Sequence, residues 1–155
     1  MSHSAPWLPL IVFVMAFPAI WALTIWLMAK GGWSKLARAY RTDRQPPDGV
    51  SKQSYQTAIV GQNIGAFSYK NCLNVWIGRD SFSMRPSSIF GLFHPMLTIP
   101  YADITGIEPK QWITRKGYRL TLQNGLQLSL FGPAADQIFE KQKTLSSPSP
   151  ERPLQ

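Results

Sequence analysis

Hydrophobic positions along this chain change period three times. From Trp7 to Ala29 they are nearly continuous, and the run holds no charged residue. At about 1.5 Å per residue, a helix of that length reaches past the roughly 30 Å hydrocarbon core of a bilayer. A helix buried in a small soluble domain needs a polar face, and none is visible here. The pattern predicts a transmembrane helix over residues 7–29, after a short tail at 1–6. Pro9 lies near the start, where a missing N–H matters little, and Pro18 at mid-span predicts a modest kink. Trp7 and Trp26 fall near the two interfaces, and Trp21 lies deeper. A cleaved signal peptide fits poorly. No Lys or Arg precedes the run, it is too long for an h-region, and no small-x-small site follows it.

A helical period comes next, in a basic segment at 30–50. Trp33, Leu36, Ala37 and Tyr40 recur at i, i+3, i+4 and i+7, while Lys35 and Arg38 project from the other side. Gly31-Gly32 is expected to break the membrane helix before this segment, and Pro46-Pro47 to end any helix after it. The short helix has two destinations. It lies in the headgroup layer, aromatic side down, or it packs the same face against the domain that follows.

Beyond Pro47 the pattern turns to alternation, over a domain expected at 51–143. Leu73, Val75 and Ile77 alternate with Asn74, Trp76 and Gly78; Phe82 and Met84 continue on a return strand. Pairing Ile77 with Phe82 leaves residues 78–81 as the loop and keeps both apolar sets on one face. In the hairpin from Tyr118 to Phe131, Asn124-Gly125 invites a two-residue turn, but that register would set Leu122 opposite Gln127. Burial favours Leu122 opposite Leu126, with a three-residue loop and Gly125 in the left-handed conformation. Further strands are predicted at Tyr55–Gly61, Ala66–Lys70, Met96–Tyr101 and Thr105–Ile113. Pro100 and Pro109 belong at edges or bulges. Gly132-Pro133 opens a helix, with Asp136 in its first turn and Lys141 and Lys143 in its last. Its stripe of Ala134, Ala135, Ile138 and Phe139 would cover an open end of a barrel. Residues 144–155 read as a disordered tail. Several short strands with frequent turns predict a mainly-β sandwich or partly open barrel of about seven strands, capped by a C-terminal helix.

Length and charge narrow this picture. A chain of 155 residues has room for one such domain. All sixteen Lys and Arg residues and all eight acids lie at position 30 or beyond, so the net charge of +8 belongs to that part. Lys30, Lys35, Arg38, Arg41 and Arg44 follow the apolar run, opposed there only by Asp43. The positive-inside rule then puts the N-terminus outside and the domain in the cytoplasm, at the plasma membrane. The bilayer is the nearest polyanion, and no nucleic-acid motif accompanies the charge. A single cysteine, Cys72, excludes an intrachain disulfide.

Two stretches resemble a known family. His94-Pro95-Met96-Leu97-Thr98-Ile99-Pro100-Tyr101-Ala102-Asp103-Ile104 looks like the "HPPL-x-IPW-x-[DE]-I" stretch of small bacterial proteins with one membrane helix and a pleckstrin-homology-like (PH-like) domain. Gly32 to Arg41 similarly resembles their juxtamembrane "GW-x-x-LA-x-x-Y" stretch. Met96 stands in place of the second proline and Tyr101 in place of the tryptophan. The resemblance covers about residues 31 to 110. It implies a PH-like architecture and a bacterial source, and it transfers no catalytic or ligand residue. PH-like folds host lipid binders, peptide binders and plain scaffolds alike.

Candidate chemistry is sparse. The two histidines are His3 and His94, the acids show no paired spacing, and Cys72 has no histidine near it in sequence. No phosphate loop, dinucleotide fingerprint or nucleophile elbow occurs. His94 reads as a turn residue or hydrogen-bond donor, and no catalytic, metal or cofactor site is expected. Basic residues offer contacts for anionic lipid or an acidic partner: Lys35, Arg38 and Arg41 after the span, and Lys110, Arg115, Lys116 and Arg119 in one hairpin. The apolar stretch Ile89-Phe90-Gly91-Leu92-Phe93 inserts into the bilayer, grips a partner through Phe90, Leu92 and Phe93, or folds back over the barrel. A small domain short of apolar residues favours folding back. The function these features imply is a membrane-tethered interaction or scaffold module, whose partner is a membrane protein or the lipid surface. The alternative is a subunit of a membrane complex held through its helix, where Ala16, Ala19 and Ala22 make a small-residue face.

Overall fold

A computed structural model describes residues 7–46, 49–61 and 66–146. The expected tail at 1–6, Pro47 and most of the expected C-terminal tail lie outside these residues. The apolar run forms helix α1, Leu8–Met28, which continues through Pro18. In its most apolar 18-residue window only 6% is buried, so α1 is not the core helix of a globular body. It is long and apolar enough to cross a membrane.

The helix does not break at Gly31-Gly32. Ala29–Trp33 forms one wide π-type turn, and α2, Ser34–Tyr40, follows without interruption, so 33 residues from Leu8 to Tyr40 are helical. Glycine's low helix propensity is overridden by packing. A Cβ on Gly31 would fall 1.9 Å from the Phe67 ring, and one on Gly32 would fall 3.2 Å from Val60. The pair lets the helix lie directly on the strands beneath it. Of the two destinations for the aromatic face, the domain takes it: Trp33, Leu36 and Tyr40 are buried in the core.

Among the described residues, eight antiparallel strands form one open sheet, one more than the expected seven. They are β1 (Arg41–Thr42), β2 (Ser51–Val60), β3 (Phe67–Ile77), β4 (Ser81–Pro86), β5 (Met96–Pro100), β6 (Ile104–Trp112), β7 (Arg115–Leu122) and β8 (Gln127–Phe131). The order is β1-β5-β4-β3-β2-β8-β7-β6. Two meanders, β2 to β5 and β6 to β8, join where β8 pairs with β2. The extra strand is β1, set on the outer edge by pairing Arg41 with Leu97 and Thr42 with Met96. The stretches expected as separate strands at 66–70 and 73–77 are one strand, β3. A bulge there holds Asn71 at φ +51, which asparagine tolerates better than most residues.

Both predicted hairpin registers are present. Ile77 pairs with Phe82. Leu122 N–H donates to the Leu126 carbonyl at 2.9 Å, and Gly125 takes φ +74 in the three-residue loop. Pro109 sits on the edge strand β6, and Pro100 ends β5. Helix α3, Pro133–Ser146, buries Ala134, Ala135 and Ile138, while Phe139 stacks on Tyr118 at 4.4 Å. Residues 144–146, expected in the tail, belong to this helix. The core therefore has three contributors: the inner face of the sheet, α3, and α2 arriving straight from the apolar span.

Candidate functional site

Where α1 meets the β domain, three aromatic rings lock the junction. Trp33 meets Tyr69 edge-on at 5.2 Å and His94 at 5.4 Å, and its indole N–H donates to the Pro95 carbonyl at 2.9 Å. The Leu92 carbonyl, 2.9 Å from His94 Nδ1, can only accept, so that nitrogen carries the proton. Nε2 of the neutral ring then accepts from the Tyr69 hydroxyl at 3.1 Å. The same hydroxyl lies 3.3 Å from the Met28 carbonyl, in the last turn of α1. Burial holds the His94 ring below its ordinary pKa, against a smaller opposite effect of the Leu92 hydrogen bond. Burial chiefly, with Cys72 adding to it, pushes the Tyr69 hydroxyl up. The cluster is thus an uncharged bolt between helix and sheet.

Beside this bolt runs a groove of about 480 Å³. Its apolar wall comes from Trp26 of α1, Ala29 and Trp33 of the wide turn, Ala37 of α2, and Phe93 and Pro95 of the β4–β5 loop. Lys30, Arg38 and Arg41 stand along it, and among the described residues no carboxylate lines it. The Lys30 ammonium lies over the Trp26 ring at 4.3 Å. Arg41 meets Asp43 at 3.4 Å, but both side chains are well exposed, so the pair neutralises little. The arrangement offers a greasy surface continuous with the apolar span and a cationic margin just past its end. That chemistry suits an amphiphile with an anionic head.

The sequence placed Arg38, Arg41 and Phe93 among candidates, and the fold brings these three together. Lys35 points elsewhere, into a smaller cleft with Gly32, Val60 and Leu126. Trp26, Lys30 and Pro95 were not singled out as site residues. A usable signal was the Trp26–Lys30 spacing of one helical turn, which places the cation over the ring.

The apolar loop does not fold back over the barrel. Ile89 is 67% exposed, Leu92 47%, Phe93 53% and Phe90 40%. Its inward groups are committed otherwise. The N–H groups of Phe90 and Gly91 both donate to the Ser87 carbonyl, Gly91 packs against backbone, and His94 occupies the buried position. Trp33 and Leu36 already fill the space the loop could have covered.

The second basic group is not a pocket of free cations. Arg115 Nη1 donates to Asn71 Oδ1 at 2.8 Å and to Thr57 Oγ1 at 3.1 Å, tying the β6–β7 hairpin to the bulge of β3. Arg119 lies 3.8 Å from Glu108, and Lys110 donates to Ser129 at 3.4 Å. Burial and the neighbouring Arg119 hold the Lys110 ammonium below its ordinary pKa. The register sets Lys116 opposite Gln111, on the other face from Lys110, Arg115 and Arg119. A small cleft of about 200 Å³ borders Arg115, Lys70 and Trp112, with the Lys70 ammonium 4.9 Å from the Trp112 ring.

Among the described residues, no three His, Cys, Asp or Glu side chains gather as metal ligands. Burial pushes the Cys72 thiol up, away from the thiolate that a nucleophile requires. No protein-family model matches the chain, and no curated protein matches it either.

Proposed function

We propose that this protein is a membrane-tethered PH-like interaction module, which carries its β domain against the cytoplasmic face of a plasma membrane. The observation that carries the reading is the unbroken helix from Leu8 to Tyr40, exposed and apolar in its first half and with one face buried in the domain core in its second. That continuity argues for an anchor over a removable leader. Ile25 and Ala29 are themselves buried, so cleavage after the apolar run would strip both from their packing and leave Trp33 close to a new chain end. A mainly-β domain followed by one C-terminal helix supports the PH-like resemblance, which implies about seven strands and such a helix. The cluster of Lys30, Lys35, Arg38, Arg41 and Arg44 supports a cytoplasmic domain. A tether raises the effective concentration of surface partners, so weak contacts suffice for binding.

A subunit role, with the helix as the main contact, is the competing reading; the small side chains of Ala16, Ala19 and Ala22 favour it. Cell fractionation with an alkaline wash tests the tether, and a C-terminal fluorescent reporter tests the orientation. The expected results are retention in the membrane pellet and a reporter active inside the cell. Replacing the exposed side chains of residues 8–23 with leucine separates the two readings in mild-detergent co-purification. A complex that survives the change is made by the β domain, and one lost with it is made by the helix.

A further inference from the structure

We propose that the groove at the helix exit is a docking site for an anionic phospholipid of the membrane that α1 crosses. The inference rests on the tethered reading above and names its partner class. Three features point to this occupant. The first is continuity: Trp26 and Ala29 belong to the apolar span itself, so the wall they form with Phe93 begins inside the hydrocarbon boundary. Free phosphate or an acidic peptide makes no use of such a wall. An acyl chain does.

The second is charge. Lys30 of the wide turn, Arg38 of α2 and Arg41 of β1 face the groove, with no acid among its described lining residues to neutralise them. The cations begin one residue after α1 gives way to the wide turn, where a phosphodiester sits when its chains lie alongside the helix. The third is the neighbouring loop. Ile89, Phe90 and Leu92 are exposed beside Phe93, and the fold gives them no cover. In the tethered reading that cover is the membrane surface at the end of the span, which holds the groove's open side against lipid. The wide turn matters as well. It seats Trp33 at the groove floor and in the core at once.

Native mass spectrometry of the delipidated full-length protein, titrated with phosphatidylglycerol and phosphatidylcholine, tests the assignment. One phosphatidylglycerol is expected to bind roughly tenfold or more tightly than phosphatidylcholine. K30Q/R38Q/R41Q should abolish that preference, whereas R79Q/K141Q/K143Q, which removes equal charge elsewhere, should keep it. All three groove cations are exposed, so their loss leaves the core intact. Phe93→Ser should weaken both lipids, and glycerol phosphate should compete with neither. The inference is overturned by equal affinity for the two lipids, by a preference that survives the groove variant or is lost in the control, or by competition from glycerol phosphate. Capture of a protein helix that excludes lipid from the groove overturns it too. A chain that washes out of the membrane pellet overturns the tether; a pelleted chain without the lipid preference overturns the groove alone.

Discussion

At the scale of single residues, conformation and protonation each expose a requirement that contacts alone do not. Nothing lies within 4 Å of a Cβ built on Gly125, yet its φ of +74 is disfavoured for L side chains. Gly125→Val should therefore cost about 1–2 kcal/mol through backbone strain alone, and Gly125→Asn clearly less. Thermal melts of the two variants check this; equal melting temperatures would refute it. His94 supplies the second case. Its folded pKa lies below the unfolded value of about 6.5, so the unfolded chain takes up the proton first. The stability it contributes is whole above that pH and drains away as pH falls through the folded value. Denaturant melts between pH 7.5 and 5 should show this loss in the wild type and a flatter profile in His94→Gln. What could be read at this scale was what alternation controls: Leu122 had to face Leu126, and that alone placed Gly125. The role of Asn71 was not legible, because its partners Thr57 and Arg115 are remote in sequence and meet only across paired strands.

At the scale of elements, periodicity announces a face but not what covers it. Trp33, Leu36 and Tyr40 marked one side of a short helix, and a headgroup layer satisfies such a side as well as a sheet does. The decision came from Phe67 and Val60, whose side chains occupy the space that Gly31 and Gly32 leave vacant. The same blindness produced the wrong expectation for residues 89–93, since no local pattern reveals that Leu36 and Tyr40 of α2 already belong to the core while the loop stays exposed. α2 is accordingly a structural member of the domain. Trp33→Ala should cost about 3–5 kcal/mol and open residues 33–41 to protease. Trp33→Phe keeps a ring but loses the hydrogen bond to Pro95, and about 1 kcal/mol is its expected cost. Limited proteolysis beside thermal melts would reveal whether the two losses track each other. If Trp33→Ala melted like the wild type, α2 would be an ornament on the sheet.

At the scale of the whole molecule, two hairpin registers, the edge place of Pro109 and the helix after Gly132 follow from patterns the chain displays, whereas the edge strand β1 and the joint between span and domain arise from packing across distant segments. That joint contains no slack. Each residue of an α-helix turns the chain by about 100°, and a π-type turn differs from an α-turn by one residue. Deleting one residue from 29–33 should thus swing the domain by roughly that angle about the bilayer normal. Disulfide crosslinking from cysteines placed on α1 to a fixed partner would read the change as a shifted pattern of reactive positions. If α1 crosses a bilayer as proposed, the domain keeps a fixed bearing relative to that helix: a neighbour that grips one face of α1 meets the same side of the sheet every time, as a weathervane rusted to its pole turns only with the pole.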